Sequence, residues 1–405
     1  MLKNTVSGMR RYRFHLLSLV HLPQRKAYCS CAFTQKNIKL AKMLMSLGHE
    51  VIFYGSEGSQ VECTEFVQTH SIEDIRADYG DNDPFFEIGY DWTKTDFRHD
   101  FNSEHRPSTL KFYANCIAGV NERKRQDDFL LLTQGCYHKP IAEAVKLFLT
   151  VEPGVGYRGS YCNFRAFESS YIQNFTYGSE HPAQCIDGRH YDRVIPNYFD
   201  TDDVEFSVEK GDYYLFIGRM IKRKGIITAF LTCESLHQKL VLAGQGGIFK
   251  PDGSLTSAYD DFVLPPGHWE YIGFVNAERR KHLMARAIAT FTPTEYLECF
   301  AGTHVESMLS GTPVITTDFG VFPSTVINGV NGFRCHTLQD FVEAAVRVRQ
   351  LDPKIVRRSA RKYLCDNVKW EFQKWFDDVY NVYESVVNPT KQGWHRLNET
   401  IPYMG

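Results

Sequence analysis

Several features that would indicate a membrane, nucleic-acid-binding or disulfide-rich protein are missing from this sequence. No apolar run approaches the ~18 residues that a membrane-spanning helix needs. The formal net charge of -2 at pH 7 provides no excess of positive charge for nucleic acid. None of the 11 cysteines belongs to a Cys-x-x-Cys pair, so we expect buried thiols in a reducing compartment rather than disulfides or a metal site. These absences predict a globular, cytoplasmic protein.

Asp and Glu are also missing from the first 49 residues, which contain nine Lys or Arg. A leader peptide over Met1–Val20 is one explanation of this asymmetry. We favour another, because no small-residue cleavage site follows and the apolar stretch Tyr12–Val20 has the composition of an opening strand. The helix pattern Gln35–Leu47 and the strand pattern Val51–Tyr54 come next, as in an α/β domain.

Three lysines, Lys36, Lys39 and Lys42, form one stripe of the predicted helix Gln35–Leu47. We favour the interpretation that this stripe is a solvated surface. The alternative is a contact with an anionic acceptor or an anionic membrane, since no acidic residue lies nearby in the sequence. On that alternative, the basic N-terminal region would attach the protein peripherally to a membrane.

The length and the pattern of apolar residues predict two α/β domains. A chain of 405 residues has room for two or three domains of roughly 100–200 residues each. Short apolar strand patterns alternate with amphipathic helix patterns, which is typical of parallel sheets covered by helices on both faces. The predicted strands of the first half are Phe14–Val20, Val51–Tyr54, Phe129–Thr133 and Val194–Ile195, and those of the second half are Tyr213–Ile217, Leu240–Ala243, Glu270–Ile272, Ala289–Thr292 and Pro313–Thr316.

This pattern predicts two doubly wound, Rossmann-like domains, residues 1–198 and 199–366. The charged, non-periodic segment Asn197–Gly211 is typical of a linker between them. Residues 367–405 contain a long helix pattern with an aromatic face that includes Trp375. A face of this size must cover a large apolar surface, so we expect this helix and tail to pack back on the first domain.

Two segments of the first half have more than one interpretation. Five aromatic residues between Tyr157 and Tyr171 accompany Arg158, Arg165 and Glu168. We favour a core helix with an aromatic face here, and the alternative is a surface that binds an acceptor glycan. Asp81-Asn82-Asp83 resembles a metal-holding Asp-x-Asp sequence, but glycine and proline flank it and favour a turn.

A pair of cations follows the first strand of the predicted second domain. Gly218 and Arg219 come directly after Tyr213–Ile217, and Lys224 precedes a helix pattern that begins at Gly225. Arg offers a planar set of donors to phosphate oxygens, Lys offers a point charge, and a helix start offers free backbone N–H groups. This combination fits a diphosphate. Taken alone, the two residues fit solvated surface cations equally well.

Two glutamates, Glu298 and Glu306, are separated by seven residues. Glu298 is predicted in the loop after Ala289–Thr292, and Glu306 one turn inside a short helix that begins near Thr303. A loop carboxylate can bind sugar hydroxyls, and Gly302 allows the backbone to approach closely. The helix N-terminus can face a diphosphate, and a helix carboxylate can accept two ribose hydroxyls. We therefore interpret the glutamates as binding groups rather than as the acid–base pair of a hydrolase.

These residues belong to a longer series of motifs: Val194-Ile-Pro-Asn197, Gly218-Arg219, Lys224-Gly225, Ala243-Gly244-Gln-Gly246, Gly273, Glu298-x7-Glu306, Ser310-Gly-Thr-Pro-Val-Ile315 and Asn328-Gly-Val-Asn-Gly332. The series covers roughly residues 190–345 and resembles, in the same order, the retaining family-4 glycosyltransferases of GT-B fold. The first domain resembles this family only in outline. Many members have a glycine pair after the first strand, and residues 21–34 contain no glycine.

The resemblance implies a retaining hexosyl transfer from a nucleotide-diphosphate sugar to a hydroxyl of a glycan, lipid or small-molecule acceptor. It implies no metal and no other cofactor. By similarity, Arg219 and Lys224 bind the diphosphate, Glu298 contacts the donor sugar, and Glu306 holds the ribose. A covalent role for Glu298 is a minority alternative. The further positions implied around the donor are Gly218, Gly244, Phe274, Phe300, Ala301, Gly302 and Thr303 in the second domain and His138 in the first.

Two other function classes agree with part of this pattern. A nucleotide-sugar epimerase can have a similar two-domain fold, but it does not predict the cation pair together with both glutamates. A non-catalytic protein that binds a nucleotide sugar or a glycan would retain the same pocket, but the presence of all four charged groups gives no support to inactivation. We therefore predict a transferase with a carbohydrate or glycolipid acceptor and no nucleic-acid partner.

Overall fold

A computed structural model describes residues 9–29, 31–79, 105–180 and 191–388 of the chain. These residues form two parallel sheets, a small antiparallel sheet and a set of covering helices. None of the helices in these ranges is both long and apolar enough to cross a membrane. The sequence Asp81-Asn82-Asp83 lies outside the described residues.

The first sheet contains the predicted opening strand in its interior, between two other strands. Its strands are β1 (Arg13–Leu17), β2 (Glu50–Gly55), β3 (Glu65–Gln68), β4 (Phe129–Leu131), β5 (Thr150–Val155), β6 (Phe164–Phe167) and β7 (Arg193–Val194). Their order is β3-β2-β1-β4-β5-β6-β7, and every pairing is parallel. In β1, Phe14 and Leu16 belong to one core and Leu17 to another. This alternation buries the strand on both faces.

Helices cover both faces of the first sheet. They are α1 (Ala32–Ser46), α2 (Ile72–Tyr79), α3 (Pro107–Arg123), α4 (Lys139–Val145) and α5 (Ser170–Glu180). Leu40 and Leu44 of α1 share a core with Phe14, whereas Val120 of α3 and Ile141 of α4 share the other core with Leu17. The first domain is therefore a sheet between two layers of helices.

The second sheet has the same architecture, with a small antiparallel insertion. The strands after β7 are β8 (Tyr213–Ile217), β9 (Lys239–Ala243), β10 (Gly247–Phe249), β11 (Leu255–Ser257), β12 (Val263–Leu264), β13 (Trp269–Tyr271), β14 (Thr290–Thr292), β15 (Val314–Thr317) and β16 (Gly332–Cys335). Six of them pair in parallel in the order β13-β9-β8-β14-β15-β16, and β10-β11-β12 form the antiparallel sheet. The helices are α6 (Ile226–Ser235), α7 (Ala277–Arg286), α8 (Gly302–Leu309), α9 (Phe322–Thr325), α10 (Leu338–Arg347), α11 (Pro353–Ala360) and α12 (Cys365–Val387).

Both parallel sheets change the direction of their strand order beside their first strand. In the first sheet β1 lies between β2 and β4, and in the second β8 lies between β9 and β14. Doubly wound sheets bind ligands in the crevice outside the carboxyl ends of the strands at such a point. The prediction of two Rossmann-like domains facing each other across a cleft is confirmed. In the second domain the crevice lies between the loops that follow Ile217 and Thr292.

The aromatic helix α12 packs on the first domain. Phe372, Trp375 and Phe376 are buried in the same core as Phe14 of β1. The ring centroids of Phe14 and Phe376 are 4.7 Å apart, and the indole nitrogen of Trp375 donates a hydrogen bond to the carbonyl of Tyr191 at 3.0 Å. The apolar face of this helix therefore completes one face of the first sheet.

Two segments connect the domains and lie side by side. The backbone N–H of Phe199 donates to the Tyr363 carbonyl at 3.0 Å, and the N–H of Cys365 donates to the Phe199 carbonyl at 2.9 Å. The segment that enters the second domain is therefore hydrogen-bonded to the segment that returns to the first. Adjacent connections of this kind can act as a hinge, so that the two domains rotate about a common axis.

The helix predicted between Tyr157 and Tyr171 is wrong. This segment contains strand β6, and α5 begins only at Ser170. Phe164 belongs to one core and Phe167 to another, so burial follows the two-residue period of a strand. Arg165 is 1% exposed and pairs with buried Asp192 at 3.0 Å, which removes it from any surface that could bind a glycan.

The prediction that the lysine stripe of α1 is a solvated surface is wrong for Lys36 and Lys39, whose side chains are 13% and 9% exposed. The Lys42 side chain is 42% exposed, but all three lysines are paired. The pairs are Lys36–Glu168, Lys39–Asp203 and Lys42–Asp200. Asp200 and Asp203 lie in the segment that links the two domains, so two of the three pairs hold α1 against that linker. Because the three ammonium groups already have carboxylate partners, a membrane contact through this stripe has no support.

Candidate functional site

The crevice of the second domain brings together two groups that are far apart in the sequence. Lys224 lies in the loop after β8, Glu298 lies in the loop after β14, and the Lys224 ammonium donates a hydrogen bond to Oε1 of Glu298. The Tyr296 hydroxyl donates to the same oxygen at 2.8 Å. The Glu298 side chain is 11% exposed and that of Lys224 is 24% exposed. A cation and a carboxylate therefore meet at the edge of the crevice.

Two glycines allow the loops of this crevice to approach each other. Gly225 has φ +79°, and a Cβ atom at this position would lie 2.0 Å from the carbonyl oxygen of Pro293. Gly244, after β9, has φ +141°, and its Cβ would lie 1.8 Å from the carbonyl oxygen of Gly218. Any side chain at either position would force the loops apart. The contact between Lys224 and Glu298 thus depends on the missing side chain at Gly225.

Arg219 and Arg223 supply further positive charge beside Lys224. Arg219 is exposed and makes no ion pair with any residue that the structure describes. The Arg223 guanidinium lies 4.7 Å and the Lys224 ammonium 4.9 Å from the centroid of the Tyr296 ring. Burial, and then the charge of Glu298, raises the pKa of Tyr296 well above its ordinary value. Sequence patterns assigned no role to Tyr296 or Arg223, because neither contributes to a motif of the series.

The loop after Glu298 turns sharply into α8. Ala301 has φ +59°, in the left-handed region that residues other than glycine rarely adopt. Below it, Phe300 is buried against Phe199 and Tyr363, with ring centroids 6.3 and 5.7 Å away. Phe300 therefore anchors the loop with its side chain. The backbone that follows starts α8, whose first turn includes Gly302 and half-buried Thr303.

A buried histidine stabilises this turn. Nδ1 of His304 bonds the Ala301 carbonyl at 2.5 Å, and Nε2 lies 2.9 Å from the Thr325 hydroxyl. Because a carbonyl only accepts, the neutral ring carries its proton on Nδ1, and Nε2 accepts from Thr325. Burial lowers the pKa of His304 to about 4. The ring is therefore neutral at pH 7 and can maintain both contacts.

The left-handed backbone at Ala301 leads to a prediction about stability. We expect Ala301→Gly to raise the free energy of unfolding by about 1 kcal/mol, because glycine avoids the steric cost that a Cβ atom has in this conformation. Urea denaturation at pH 7 measures the change. Ala118→Gly, at an exposed position inside α3, is the control and should lower stability by about 1 kcal/mol. A decrease for both variants would show that Ala301 is not strained.

Glu306 also has a partner that the sequence did not reveal. Nη2 of Arg280, from α7, donates to Oε1 of Glu306 at 2.6 Å. Nη1 of Arg280 lies 3.5 Å from the carbonyl oxygen of Cys29, in the loop after β1 of the first domain. The charge of Glu306 raises the pKa of Arg280. Arg280 therefore fixes Glu306 and connects it to the opposite wall of the cleft.

Of the remaining predicted positions, Gly218 and Phe274 follow strands of the second sheet, whereas His138 is buried in the first domain. Gly218 directly follows β8, with no atom near the place that a Cβ would occupy, and half-buried Phe274 follows β13. His138, by contrast, is fully buried against the ring of Phe112, 5.8 Å away, and burial lowers its pKa to about 3. Because His138 is fully buried, a donor sugar could reach it only if the residues packed around its ring moved. The contact between His138 and the donor stays a prediction.

The loop that carries Glu298 is also attached to the first domain. The Ser169 hydroxyl, just after β6, donates to the Cys299 carbonyl at 2.6 Å. Burial, and then the charge of Glu168, raises the pKa of the Cys299 thiol to about 11. Glu168 also accepts a hydrogen bond from Asn197 Nδ2 at 3.1 Å. The first domain therefore presents a charged, hydrogen-bonded edge to the crevice.

No group of three or more His, Cys, Asp or Glu that could hold a metal ion occurs in the described parts of the chain. The charged groups described in the crevice are Arg and Lys side chains and the carboxylates of Glu298 and Glu306. Around a ligand they can neutralise a diphosphate through Arg219 and Lys224 and bind hydroxyl groups through Glu298 and Glu306.

Comparisons with known proteins show which family and which fold this chain resembles. Residues 199–384 match the family model described as Glycosyl transferases group 1. The glycogen synthase of Mycobacterium tuberculosis is 28% identical over 167 residues, which cover 39% of this chain and 39% of that protein. The chain thus spans about two fifths of the length of this curated relative.

Two solved structures are similar over nearly the whole chain. AviGT4, a glycosyltransferase involved in avilamycin A biosynthesis, has a TM-score of 0.61 at 18% identity, and covers 91% of this chain and 98% of its own. HepE of Anabaena, solved in complex with UDP and glucose, has a TM-score of 0.60 at 12% identity, with 91% and 100% covered. The chain therefore has the GT-B fold of glycosyltransferases, and its second domain with α12 matches the glycosyl transferases of group 1.

Proposed function

We propose that this protein transfers a glycosyl group from a nucleoside-diphosphate sugar to a hydroxyl of a glycan, lipid or small-molecule acceptor. The observation that carries the proposal is the meeting of Lys224 and Glu298 at the switch point of the second sheet, beside Arg219 and the start of α8. Cleavage of the bond to the diphosphate creates negative charge, so the site needs fixed positive charge at that point. Arg219 and Lys224 supply it.

The two glutamates have different tasks in this proposal. Glu298, in the loop, positions the donor sugar and stabilises positive charge that develops on it. Glu306, inside α8, binds the ribose of the nucleotide, and Arg280 keeps its carboxylate in one orientation through the hydrogen bond at 2.6 Å. We infer that Gly218, Gly244, Phe274 and the backbone from Phe300 to Thr303 complete the donor pocket.

We infer that the configuration of the sugar is retained. The acceptor attacks from the face that the diphosphate leaves, and a phosphate oxygen of the leaving group takes the acceptor's proton. This course requires no nucleophile from the protein, which leaves Glu298 a positioning and electrostatic role. The two cations take the neutralising role that a metal ion has in other transferases. The acceptor approaches from the first domain.

A panel of donors tests the proposal. We expect purified protein to be thermally stabilised by one of UDP-glucose, UDP-galactose, UDP-N-acetylglucosamine, GDP-mannose and ADP-glucose, and to hydrolyse that donor slowly when no acceptor is present. Differential scanning fluorimetry and release of nucleoside diphosphate measure the two effects. Release of an epimerised sugar nucleotide would support an epimerase, and stabilisation without any turnover would support a binding protein. Neither stabilisation nor turnover with any donor would contradict the proposal.

A further inference from the structure

Tyr296 shares the carboxylate of Glu298 with Lys224. The Tyr296 hydroxyl donates to Oε1 of Glu298 at 2.8 Å, and the Lys224 ammonium donates to the same oxygen. Since the Glu298 side chain is only 11% exposed, water has little access to it. Loss of both donors would leave a nearly buried carboxylate without a partner, which is costly.

The two donors differ in how firmly they are held. The ammonium group of Lys224 lies at the end of four flexible methylene groups, so it can take several positions. Tyr296 has a rigid ring, and the guanidinium of Arg223, which does not bond Glu298, lies 4.7 Å from the ring centroid. Tyr296 is also only two residues from Glu298, on the same loop. The hydroxyl therefore stays with the carboxylate when the ammonium moves.

The proposed function, on which this inference rests, offers Lys224 a second anion. A bound diphosphate carries more negative charge than a single carboxylate and has more oxygen atoms to accept hydrogen bonds. We propose that Lys224 turns from Glu298 to the diphosphate when the donor binds, and that Tyr296 is the positioning residue that then keeps Glu298 directed at the donor sugar. Tyr296 acts through Glu298 and does not touch the reacting atoms.

Tyr296→Phe tests this role because it removes only the hydroxyl. We expect turnover to fall on the order of 10-fold, the effect of one hydrogen bond to a charged group. Affinity for the bare nucleoside diphosphate should fall as well, because Lys224 can then turn to the diphosphate only by leaving Glu298 without a hydrogen-bond donor. Steady-state kinetics use the member of the donor panel that the wild type turns over, and calorimetry uses UDP, GDP or ADP to match it. Tyr214→Phe is the control, since its buried hydroxyl donates to the Ala345 carbonyl at 2.6 Å in the same domain. We expect it to keep wild-type turnover.

The Glu298→Ala background separates positioning from a general structural role. If Tyr296 acts through Glu298, adding Tyr296→Phe to Glu298→Ala lowers turnover no further. A further loss in the double variant would overturn the inference, as would wild-type turnover in Tyr296→Phe. A wild type that turns over no donor of the panel would instead contradict the proposed function, and the inference would fail with it.

Discussion

Lys224→Ala is expected to lower the turnover of the nucleotide-sugar donor by about 10²–10³-fold, the scale for removing one preorganised group that faces developing negative charge. We expect the same range for Arg219→Ala. In both cases the diphosphate loses a cation while it leaves the sugar. The effect on the donor KM should be smaller, because the charge is largest in the transition state.

Steady-state kinetics with the donor that the panel identifies measure this loss. Lys222→Ala is a matched control, since Lys222 is an exposed cation in the same short turn as Lys224 and has no ion-pair partner in the described chain. It should keep most of the wild-type turnover. Circular dichroism and the urea midpoint establish that each variant is folded. Wild-type turnover in a folded Lys224→Ala variant would contradict the role assigned to Lys224.

Glu298→Ala is expected to slow sugar transfer, whereas Glu306→Ala is expected to weaken nucleotide binding. Glu298→Ala should lower turnover by about 10²-fold, because the donor sugar loses its positioning group. Its affinity for the nucleoside diphosphate should be kept or increased, since Lys224 no longer has a carboxylate partner in the crevice. Glu306→Ala should weaken nucleotide binding on the order of 10-fold, the effect of lost hydrogen bonds to a charged group.

Calorimetry with UDP, GDP and ADP and steady-state kinetics separate these two effects. Glu295→Ala is the control for both variants, because Glu295 is an exposed carboxylate in the same loop as Glu298 and has no ion-pair partner in the described ranges. Weak nucleotide binding in Glu298→Ala, together with slow transfer and normal binding in Glu306→Ala, would mean that the two roles are exchanged. Loss of both properties in both variants would indicate that the glutamates act as a single unit.

The sequence by itself determined the layered fold and the place of the charged groups along it. The predicted strand Tyr213–Ile217 agrees with β8, and the predicted strand Ala289–Thr292 differs from β14 by one residue. Apolar runs and helix periods are local signals, so they can be interpreted without knowledge of contacts. The sequence also placed Lys224 after the strand Tyr213–Ile217 and Glu298 in the loop after Ala289–Thr292, and the family resemblance assigned both to a donor pocket.

Local patterns failed where two periods were possible or where a partner came from elsewhere in the chain. Aromatic residues three or four positions apart between Tyr157 and Tyr171 resembled a helix, but pairing of β6 with β5 and β7 imposed a strand. The lysine stripe of α1 looked solvated, because its acidic partners lie as far away as Asp200 and Asp203. Tertiary contacts override local preference in both cases.

Only the tertiary structure decided the partners of the functional groups. Lys224 and Glu298 are 74 residues apart, and Arg280 and Glu306 are 26 apart. The first pair forms because the sheet order sets the loops after β8 and β14 side by side, and Gly225 lets these loops come into contact. The second pair joins the neighbouring helices α7 and α8. Sequence motifs therefore identified the charged groups of the crevice, but the order of the strands determined which of them meet.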